Sequence, residues 1–175
     1  MPCPVEAGTG NVCLRRRVVT VRLLQKEDIP AVAALERACF GTPWSEKALE
    51  YLTGADAFGV VLTARDGTVL AYAGLTVSLD DGALTNVATA PAMRCRGLGE
   101  QVLRALIGEA RRRGVTHFSL EVRESNLPAL ALYRKLGFTV AGKRPRFYRE
   151  PVEAALVMTL DAPLPETKSE SDKAG

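Results

Sequence analysis

The sequence predicts a mixed α/β fold, in which a central sheet of parallel and antiparallel strands carries helices on both faces. The chain has 175 residues, of which 47% are apolar and 25% charged, so it can bury one sizeable core. Its apolar patterns alternate between strand and helix spacing in the order βααβββαβαββ. Consecutive strands favour antiparallel pairing, whereas a strand–helix–strand unit requires a right-handed parallel crossover, and the two together give a mixed sheet.

The chain begins with one predicted strand and two predicted helices. Residues 18–24 form a β-rich run. Asp28 can cap the helix that follows, and Pro30 lies in its first turn, where a missing N–H breaks no hydrogen bond. Ser45 is a suitable cap for a second, shorter helix.

Three β-rich runs at 58–64, 69–78 and 83–89 then predict an antiparallel meander. The first two are joined through "RDGT" (65–68), whose Asp-Gly pair is a hairpin signal. The turn "LDDG" (79–82) leads into the third run.

Two helices in the second half of the chain each end at a glycine. Apolar residues recur at helical spacing from Gly97 to Arg113, and Gly114 follows as the stop. The next helix has Asn126 or a neighbour as its cap and ends at Gly137.

The remaining strands complete the sheet. In 117–123 apolar residues alternate with polar ones, so one face packs and the other, which includes Glu121, is polar. The unit from residue 83 to 123 should be the parallel crossover. Runs at 138–142 and 154–160 are the last two predicted strands.

Charge and composition separate the two ends of the chain from its centre. The formal net charge is +3, and all of it lies before residue 23, so residues 1–17 are predicted to be a flexible basic arm. The arm is either a solvated tail or a segment whose positive charge weakly attracts ribosomes or nucleic acid. We expect no direct nucleic-acid binding by the protein. Residues 162–175 have a disordered composition. The expected domain is therefore 18–161.

The sequence has the features of a cytoplasmic protein that contacts no membrane. No run approaches the roughly 18 apolar residues of a membrane span, and the N-terminus lacks the order of charge and apolar residues that marks a signal peptide. Four cysteines (Cys3, Cys13, Cys39 and Cys95) lie far apart, and the one histidine is His117. This spacing predicts reduced thiols, with no metal site.

The stretch "RCRGLGEQ" (94–101) predicts an anion site at the start of a helix. A dinucleotide fingerprint would need a third glycine where Val102 stands, and a nucleoside-triphosphate loop would need a Gly-Lys-Ser or Gly-Lys-Thr. The remaining pattern is Arg94-x-x-Gly97-x-Gly99. Unpaired N–H groups at a helix start can bind a diphosphate, and arginines can add charge. On the residues alone, a plain tight turn is equally compatible.

Two longer segments carry a family resemblance. "NVATAPAMRCRGLGEQVLRALI" (86–107) and "LEVRESNLPALALYRKLGF" (120–138) closely resemble the acetyl-coenzyme A motif and its sequel in the GNAT superfamily of N-acetyltransferases. "PWSEKALE" (43–50), "LEVRESN" (120–126) and "ALYRKLGF" (131–138) are similar to the bacterial RimI branch, which acetylates the N-terminal alanine of a small-subunit ribosomal protein.

The resemblance implies acetyl-CoA as co-substrate and names the residues that would bind it. The backbone of Val87, Ala88 and Thr89 would receive the pantetheine arm, and Asn126 would contact the reactive end. The diphosphate would lie against the loop formed by Arg94, Cys95, Arg96, Gly97, Leu98, Gly99 and Glu100.

The resemblance also implies Glu121 as general base, Tyr133 as general acid and Trp44 as a border of the acceptor entrance. Judged on residues alone, Glu121 could be a solvated glutamate and Tyr133 a half-buried core aromatic. "YREPVEAALVM" (148–158) departs from the family, with a short final loop and Glu153 near the place of the usual Asp, so the acceptor is less well defined than the donor.

The predicted function is transfer of an acetyl group from acetyl-CoA to a protein N-terminus, possibly that of a ribosomal protein. Two alternatives remain open. The same fold could acetylate a lysine or a small-molecule amine, or the chain could be a non-catalytic sensor that binds acyl-CoA.

Overall fold

The computed structural model describes residues 19–161 as a seven-stranded sheet with four α-helices. The strands are β1 (Thr20–Leu23), β2 (Ala57–Thr63), β3 (Val69–Ser78), β4 (Asp81–Thr89), β5 (His117–Arg123), β6 (Thr139–Arg149) and β7 (Val152–Asp161). The helices are α1 (Ile29–Cys39), α2 (Glu46–Glu50), α3 (Leu98–Arg112) and α4 (Leu127–Lys135). The predicted fold class and element order are confirmed, whereas the predicted arm and tail lie outside the described residues.

The sheet is mixed, as the sequence predicts. Its strands lie in the order β1-β2-β3-β4-β5-β7-β6. β4 and β5, joined through α3, pair in parallel, and the other strand pairs of the described chain are antiparallel.

Helices cover both faces of the sheet. Alternate residues of β2 belong to different cores: Val60 and Leu62 pack in the cluster that contains α3 and part of α4, while Val61 packs in the cluster that contains α1 and α2. Every residue of β2 is therefore buried, and each large apolar side chain there contributes about 1.5–3 kcal/mol.

The last hairpin is longer than the sequence predicts. The expected strands at 138–142 and 154–160 extend to Thr139–Arg149 and Val152–Asp161. β6 lies at the edge of the sheet and is exposed along most of its length, so it has no apolar alternation to mark it. Backbone pairing with β7, interrupted by two register shifts, defines it instead.

Local caps agree with the sequence at Ser45 and Asn126, whose side chains accept hydrogen bonds from the backbone of Ala48 and Ala129. Asp28 precedes α1, but its carboxylate binds Arg22 and the backbone of Gln25 and does not cap the helix.

The expectation of reduced cysteines is wrong for Cys95, which is disulfide-bonded; distance along the chain does not exclude proximity in space. Cys39 is a free thiol. In the described part of the chain, no helix has the length and apolar character needed to cross a membrane.

Candidate functional site

A cleft opens where the two parallel strands separate. β4 and β5 pair from Asp81 opposite His117 to Ala83 opposite Ser119, and no further pairing between them follows in the described chain. On its other side β4 contains a bulge, because Leu84 faces Leu75 while Val87 faces Ala73. The extra residue bends β4 away from β5. The later backbone of β4 therefore lines an opening and is not covered by its parallel neighbour.

The bulge also exchanges the two faces of β4. Leu84 and Ala88 are four residues apart, so a regular strand would place them on the same face. Leu84 instead packs in the α3 cluster and Ala88 in the α1 cluster. Asn86 lies between these two residues, and its side-chain amide donates a hydrogen bond to Glu36 of α1.

The cleft contains a cavity of about 400 Å³. Residues from β4, β5, β6 and β7 form its wall: Ala83, Leu84, Thr85, Asn86, Ser119, Leu120, Glu121, Arg144, Phe147, Tyr148 and Val157. Glu121 is the one predicted site residue in this wall.

Glu121 forms an ion pair inside the cavity. Its side chain is 33% exposed, and its Oε1 lies 3.0 Å from Nη1 of Arg144. The Arg144 guanidinium also lies 5.8 Å from the centroid of the Phe147 ring. The polar face of β5 thus places a carboxylate in the opening, held by an arginine of the last hairpin.

Tyr133 lies on α4 and packs into the α3 core. Its ring meets Phe138 edge to face at 5.9 Å between centroids. Burial, with a smaller electrostatic effect of Tyr148, raises the pKa of Tyr133 to about 12. The phenol is therefore protonated at neutral pH and can only donate a proton. Tyr133 is not part of the cavity wall.

Tyr148 is a cavity residue that the sequence analysis did not identify. Its ring stacks under the Arg123 guanidinium at 4.1 Å and contacts Phe147 edge to face at 5.1 Å. Burial raises its pKa, and the charge of Glu121 acts in the same direction. Tyr148 is thus a hydroxyl-bearing aromatic residue in the same cavity wall as Glu121.

Three further side chains of the cavity wall that matter for its chemistry were also missed by the sequence analysis, namely Asn86, Arg144 and Phe147. The signal that could have found two of them is "KRPRFY" (143–148), where arginines and aromatics stand close to the departure from the family's final loop.

The loop 94–100, called the glycine loop below, has the geometry of an anion-binding site. Cys95 and Gly97 have positive φ angles of 60° and 75°, and Gly97 is the residue that precedes α3. A Cβ on Gly97 would meet nothing within 4 Å, so the loop presents open backbone in front of the helix. The first N–H groups of α3 lack partners within the helix and point toward that space. The loop therefore fits the diphosphate that the sequence predicts.

The start of α3 lies against the end of β4. A Cβ on Gly99 would be 3.5 Å from the Thr89 hydroxyl and 3.4 Å from Leu132 of α4. The fold thus brings the predicted pantetheine strand and the glycine loop together. Glu100 forms ion pairs with Arg104 and Lys135. The hydrogen bond from Lys135, followed by that from Arg104, lowers the pKa of Glu100.

The other predicted residues surround this region. Arg94 and Arg96 are exposed, and Arg94 reaches the Cys39 sulfur at 3.6 Å. The Asn126 carbonyl oxygen caps α4. Trp44 lies before α2, half-buried against the α1 core, and donates its backbone N–H to Glu36 at 2.9 Å. Trp44 does not reach the cavity wall.

Curated relatives match most of the chain. The chain is 39% identical over 143 residues to the [ribosomal protein bS18]-alanine N-acetyltransferase of Salmonella typhimurium, covering 81% of this chain and 96% of that protein. It is 33% identical over 150 residues to N-alpha-acetyltransferase RimI of Mycobacterium tuberculosis, covering 82% and 93%. The predicted resemblance to this branch is confirmed.

Solved structures agree with the fold. The ribosomal-protein-S18-alanine N-acetyltransferase of Escherichia coli superposes with a TM-score of 0.78 at 36% identity, over 86% of this chain and 98% of that one. Ard1 of Thermoplasma volcanium gives 0.75 at 21% identity, over 83% and 98%, and supports the fold alone. Residues 29–138 match the profile of the acetyltransferase (GNAT) family. The chain therefore belongs to the GNAT family of acetyltransferases and is an N-acetyltransferase, as the sequence predicts.

Proposed function

We propose that the chain transfers an acetyl group from acetyl-CoA to the N-terminal α-amine of a protein, the alanine of ribosomal protein bS18. The observation that carries this proposal is the cavity between β4 and β5, with a carboxylate in its wall and a glycine loop beyond the end of β4. The acceptor is that of the similar enzymes of Salmonella typhimurium and Escherichia coli, which are [ribosomal protein bS18]-alanine N-acetyltransferases.

Acetyl-CoA supplies an activated acyl group as a thioester. The backbone of 87–89 would hold the pantetheine arm, and the loop 94–100 would hold the diphosphate through its N–H groups and arginines. Asn126 would contact the donor near its reactive end, with its capping oxygen already engaged.

The transfer needs one base and one acid. Glu121, directly or through a water, would accept the proton of the incoming ammonium group. The freed amine forms a bond to the thioester carbonyl carbon, the bonded nitrogen loses a second proton to water, and the bond from that carbon to sulfur breaks. The proton released to water is the equivalent of the one that later restores the Tyr133 phenol. Backbone N–H groups where β4 and β5 separate would stabilise the charge on the carbonyl oxygen. Tyr133, protonated at neutral pH, would give its proton to the departing thiolate.

The proton chemistry favours an α-amine as acceptor. A free α-amino group has a reference pKa of about 7.7–8.0 and lysine one of about 10.4, so deprotonation at pH 7 costs roughly 1 kcal/mol for the first and about 4.6 kcal/mol for the second. A single carboxylate suits the easier task. Trp44 and the β6–β7 hairpin would border the entrance and favour a small first side chain.

The proposed enzyme works in the cytoplasm as a catalytic domain spanning 18–161, with no contact to membrane or nucleic acid needed for the reaction. The basic arm would at most guide a ribosomal substrate toward the domain.

A peptide that begins with alanine and contains one internal lysine tests the acceptor. Mass spectrometry should find the acetyl group on the α-amine, and a matched peptide with a blocked N-terminus should remain unmodified. A third peptide with a bulky first residue should react more slowly. Acetylation chiefly on lysine would refute the proposed acceptor.

The non-catalytic alternative is tested in the same assay. It requires acetyl-CoA to bind while no amine releases CoA. Calorimetric binding without thiol release, across peptides and small amines, would replace the enzymatic proposal.

A further inference from the structure

A buried carboxylate outside the proposed chemistry connects the α1–α2 loop with the cleft. Glu36 of α1 is 0% exposed. Its Oε1 accepts hydrogen bonds from the Tyr72 hydroxyl and, at 3.0 Å, from the Asn86 amide, and its Oε2 accepts one from the backbone N–H of Trp44 at 2.9 Å. None of the described lysines, arginines or histidines forms an ion pair with it.

This position is costly for a carboxylate. Glu36 lies on the face of α1 that also carries Val32, Ala33 and Leu35 into the core, where an apolar side chain would pack without desolvating a charge. What a carboxylate provides there, and an apolar side chain cannot, is two oxygens that accept hydrogen bonds from three donors in three different segments.

The three donors identify what Glu36 holds in place. Tyr72 is fully buried on β3, and Asn86 lies in the cavity wall beside the bulge of β4. Trp44 belongs to the turn between α1 and α2 and packs against the core cluster that contains Ala88 of β4. Glu36 thus links the α1–α2 turn, through hydrogen bonds, to β4, the strand that lines the cleft.

We infer that Glu36 is a positioning residue that fixes the backbone of Trp44 and thereby the wall of the acceptor entrance. Asn86 and Tyr72 both donate to the other oxygen, and the Asn86 hydrogen bond alone keeps the carboxylate oriented toward the turn. The part of this inference that concerns the acceptor rests on the proposed function, whereas the part that concerns the turn does not.

The test uses the single tryptophan of the chain as its reporter. Glu36→Met removes every acceptor at nearly constant volume, and Tyr72→Phe serves as the matched control because it removes one donor and leaves the Trp44 hydrogen bond. Acrylamide quenching of Trp44 fluorescence should increase at least twofold in Glu36→Met and remain at the wild-type value in Tyr72→Phe. Unchanged quenching in a folded Glu36→Met protein would overturn the inference.

Kinetics supply the second readout. Glu36→Met should raise KM for the alanine peptide roughly tenfold or more, the low end of what a hydrogen bond to a charged group contributes, while acetyl-CoA affinity stays at the wild-type value. A residue that only stabilised the core would lower the melting temperature and leave KM unchanged in the surviving folded fraction.

A measurement on the wild-type chain covers the case in which Glu36→Met does not fold. Labelling with ¹⁵N-tryptophan gives one backbone amide signal, that of Trp44, because the chain has one tryptophan. Its hydrogen exchange should be slower than that of an unstructured peptide by roughly tenfold or more. Exchange at the unprotected rate would refute the hydrogen bond on which the inference rests.

The outcomes separate the two proposals. If the alanine peptide is not acetylated but quenching increases in Glu36→Met, the positioning of the turn holds and the proposed acceptor fails. If the peptide is acetylated and quenching is unchanged, the proposed acceptor holds and the inference fails.

Discussion

At the scale of single residues, the two groups proposed to transfer protons lie in different environments. Glu121 faces the cavity beside Arg144, while Tyr133 is partly buried and packs against the α3 core. Their environments differ in the way that a base and an acid require, since one is an accessible carboxylate and the other a phenol that stays protonated. Tyr148, which is part of the cavity wall, is the residue to compare with Tyr133.

Tyr133→Phe should lower kcat by roughly 10²–10⁴-fold, the usual contribution of a general acid, with little change in acetyl-CoA affinity. The hydroxyl is needed only when the thiolate leaves, whereas the ring continues to pack against Phe138. Steady-state kinetics with titration calorimetry measure both quantities, and Tyr148→Phe is the matched comparison. Near-normal turnover in Tyr133→Phe together with a large loss in Tyr148→Phe would assign the acid to the cavity wall.

At the scale of elements, α3 and the loop before it are the best place to test donor binding. Gly97→Val should weaken acetyl-CoA binding by roughly tenfold or more, because a side chain would occupy the space in front of the helix N-terminus. The φ of +75° also makes any side chain there strained, by about 1–3 kcal/mol.

Gly67→Val supplies the control for that strain. Gly67 has a φ of +88° and no atoms within 4 Å of its Cβ position, but it lies in the β2–β3 turn. Both variants should lose stability in thermal unfolding, and only Gly97→Val should lose affinity by calorimetry. Equal acetyl-CoA affinities in the two folded variants would show that the loop 94–100 is a plain tight turn that does not bind the diphosphate.

The ion pair between β1 and the start of α1 makes a separate prediction about stability. Two hydrogen bonds from Arg22, at 2.7 and 2.8 Å, are the largest cause of a lowered pKa at Asp28. A lowered folded-state pKa gives stability that is present above the unfolded value, about 3.9, and lost as pH falls through the folded pKa.

Asp28→Asn should therefore reduce the free energy of unfolding at pH 7 by on the order of 1 kcal/mol, a value discounted because Arg22 is partly exposed. Urea unfolding at pH 7 and below pH 3 measures the effect, and the gap between wild type and variant should narrow at the lower pH. A gap that stays constant would show that the Asp28 charge contributes nothing.

The elements also show what a sequence can and cannot predict. The alternation in 117–123 placed Glu121 on the polar face, and the helix after 83–89 required the parallel crossover, because both follow from periodicity and chain connection. The bulge in β4 could not be predicted, since one extra residue leaves no signal in a run of apolar and small residues. Tyr148 was missed because β6 is an exposed edge strand whose pairing depends on β7.

At the scale of the whole molecule, the sheet separates the loop proposed to bind the donor from the residues proposed to border the acceptor entrance. The glycine loop lies at the start of α3, which packs on one face, while Glu36 and Trp44 lie on the other face with α1 and α2. Between them, the opening of β4 from β5 is the passage through the sheet. In the proposed reaction, donor and acceptor would therefore bind from different faces and meet at the cavity.

This arrangement predicts direct transfer in a ternary complex. Initial velocities at varied acetyl-CoA and peptide should give intersecting lines in double-reciprocal plots, and intact mass after incubation with acetyl-CoA alone should show no acetylated enzyme. The cavity wall contains no cysteine, so the described chain offers no thiol there for a covalent intermediate.

Cys39, a free thiol of the described residues, supplies the control for this prediction. The Cys39 sulfur lies 3.4 Å from the Thr89 carbonyl oxygen, at the end of the predicted pantetheine strand, so it is the thiol to test as an acetyl acceptor. Cys39→Ala should nevertheless retain wild-type turnover, because the amine attacks the thioester directly. Parallel double-reciprocal lines, a mass increase of one acetyl group, and loss of both in Cys39→Ala would instead establish a two-step transfer through that thiol.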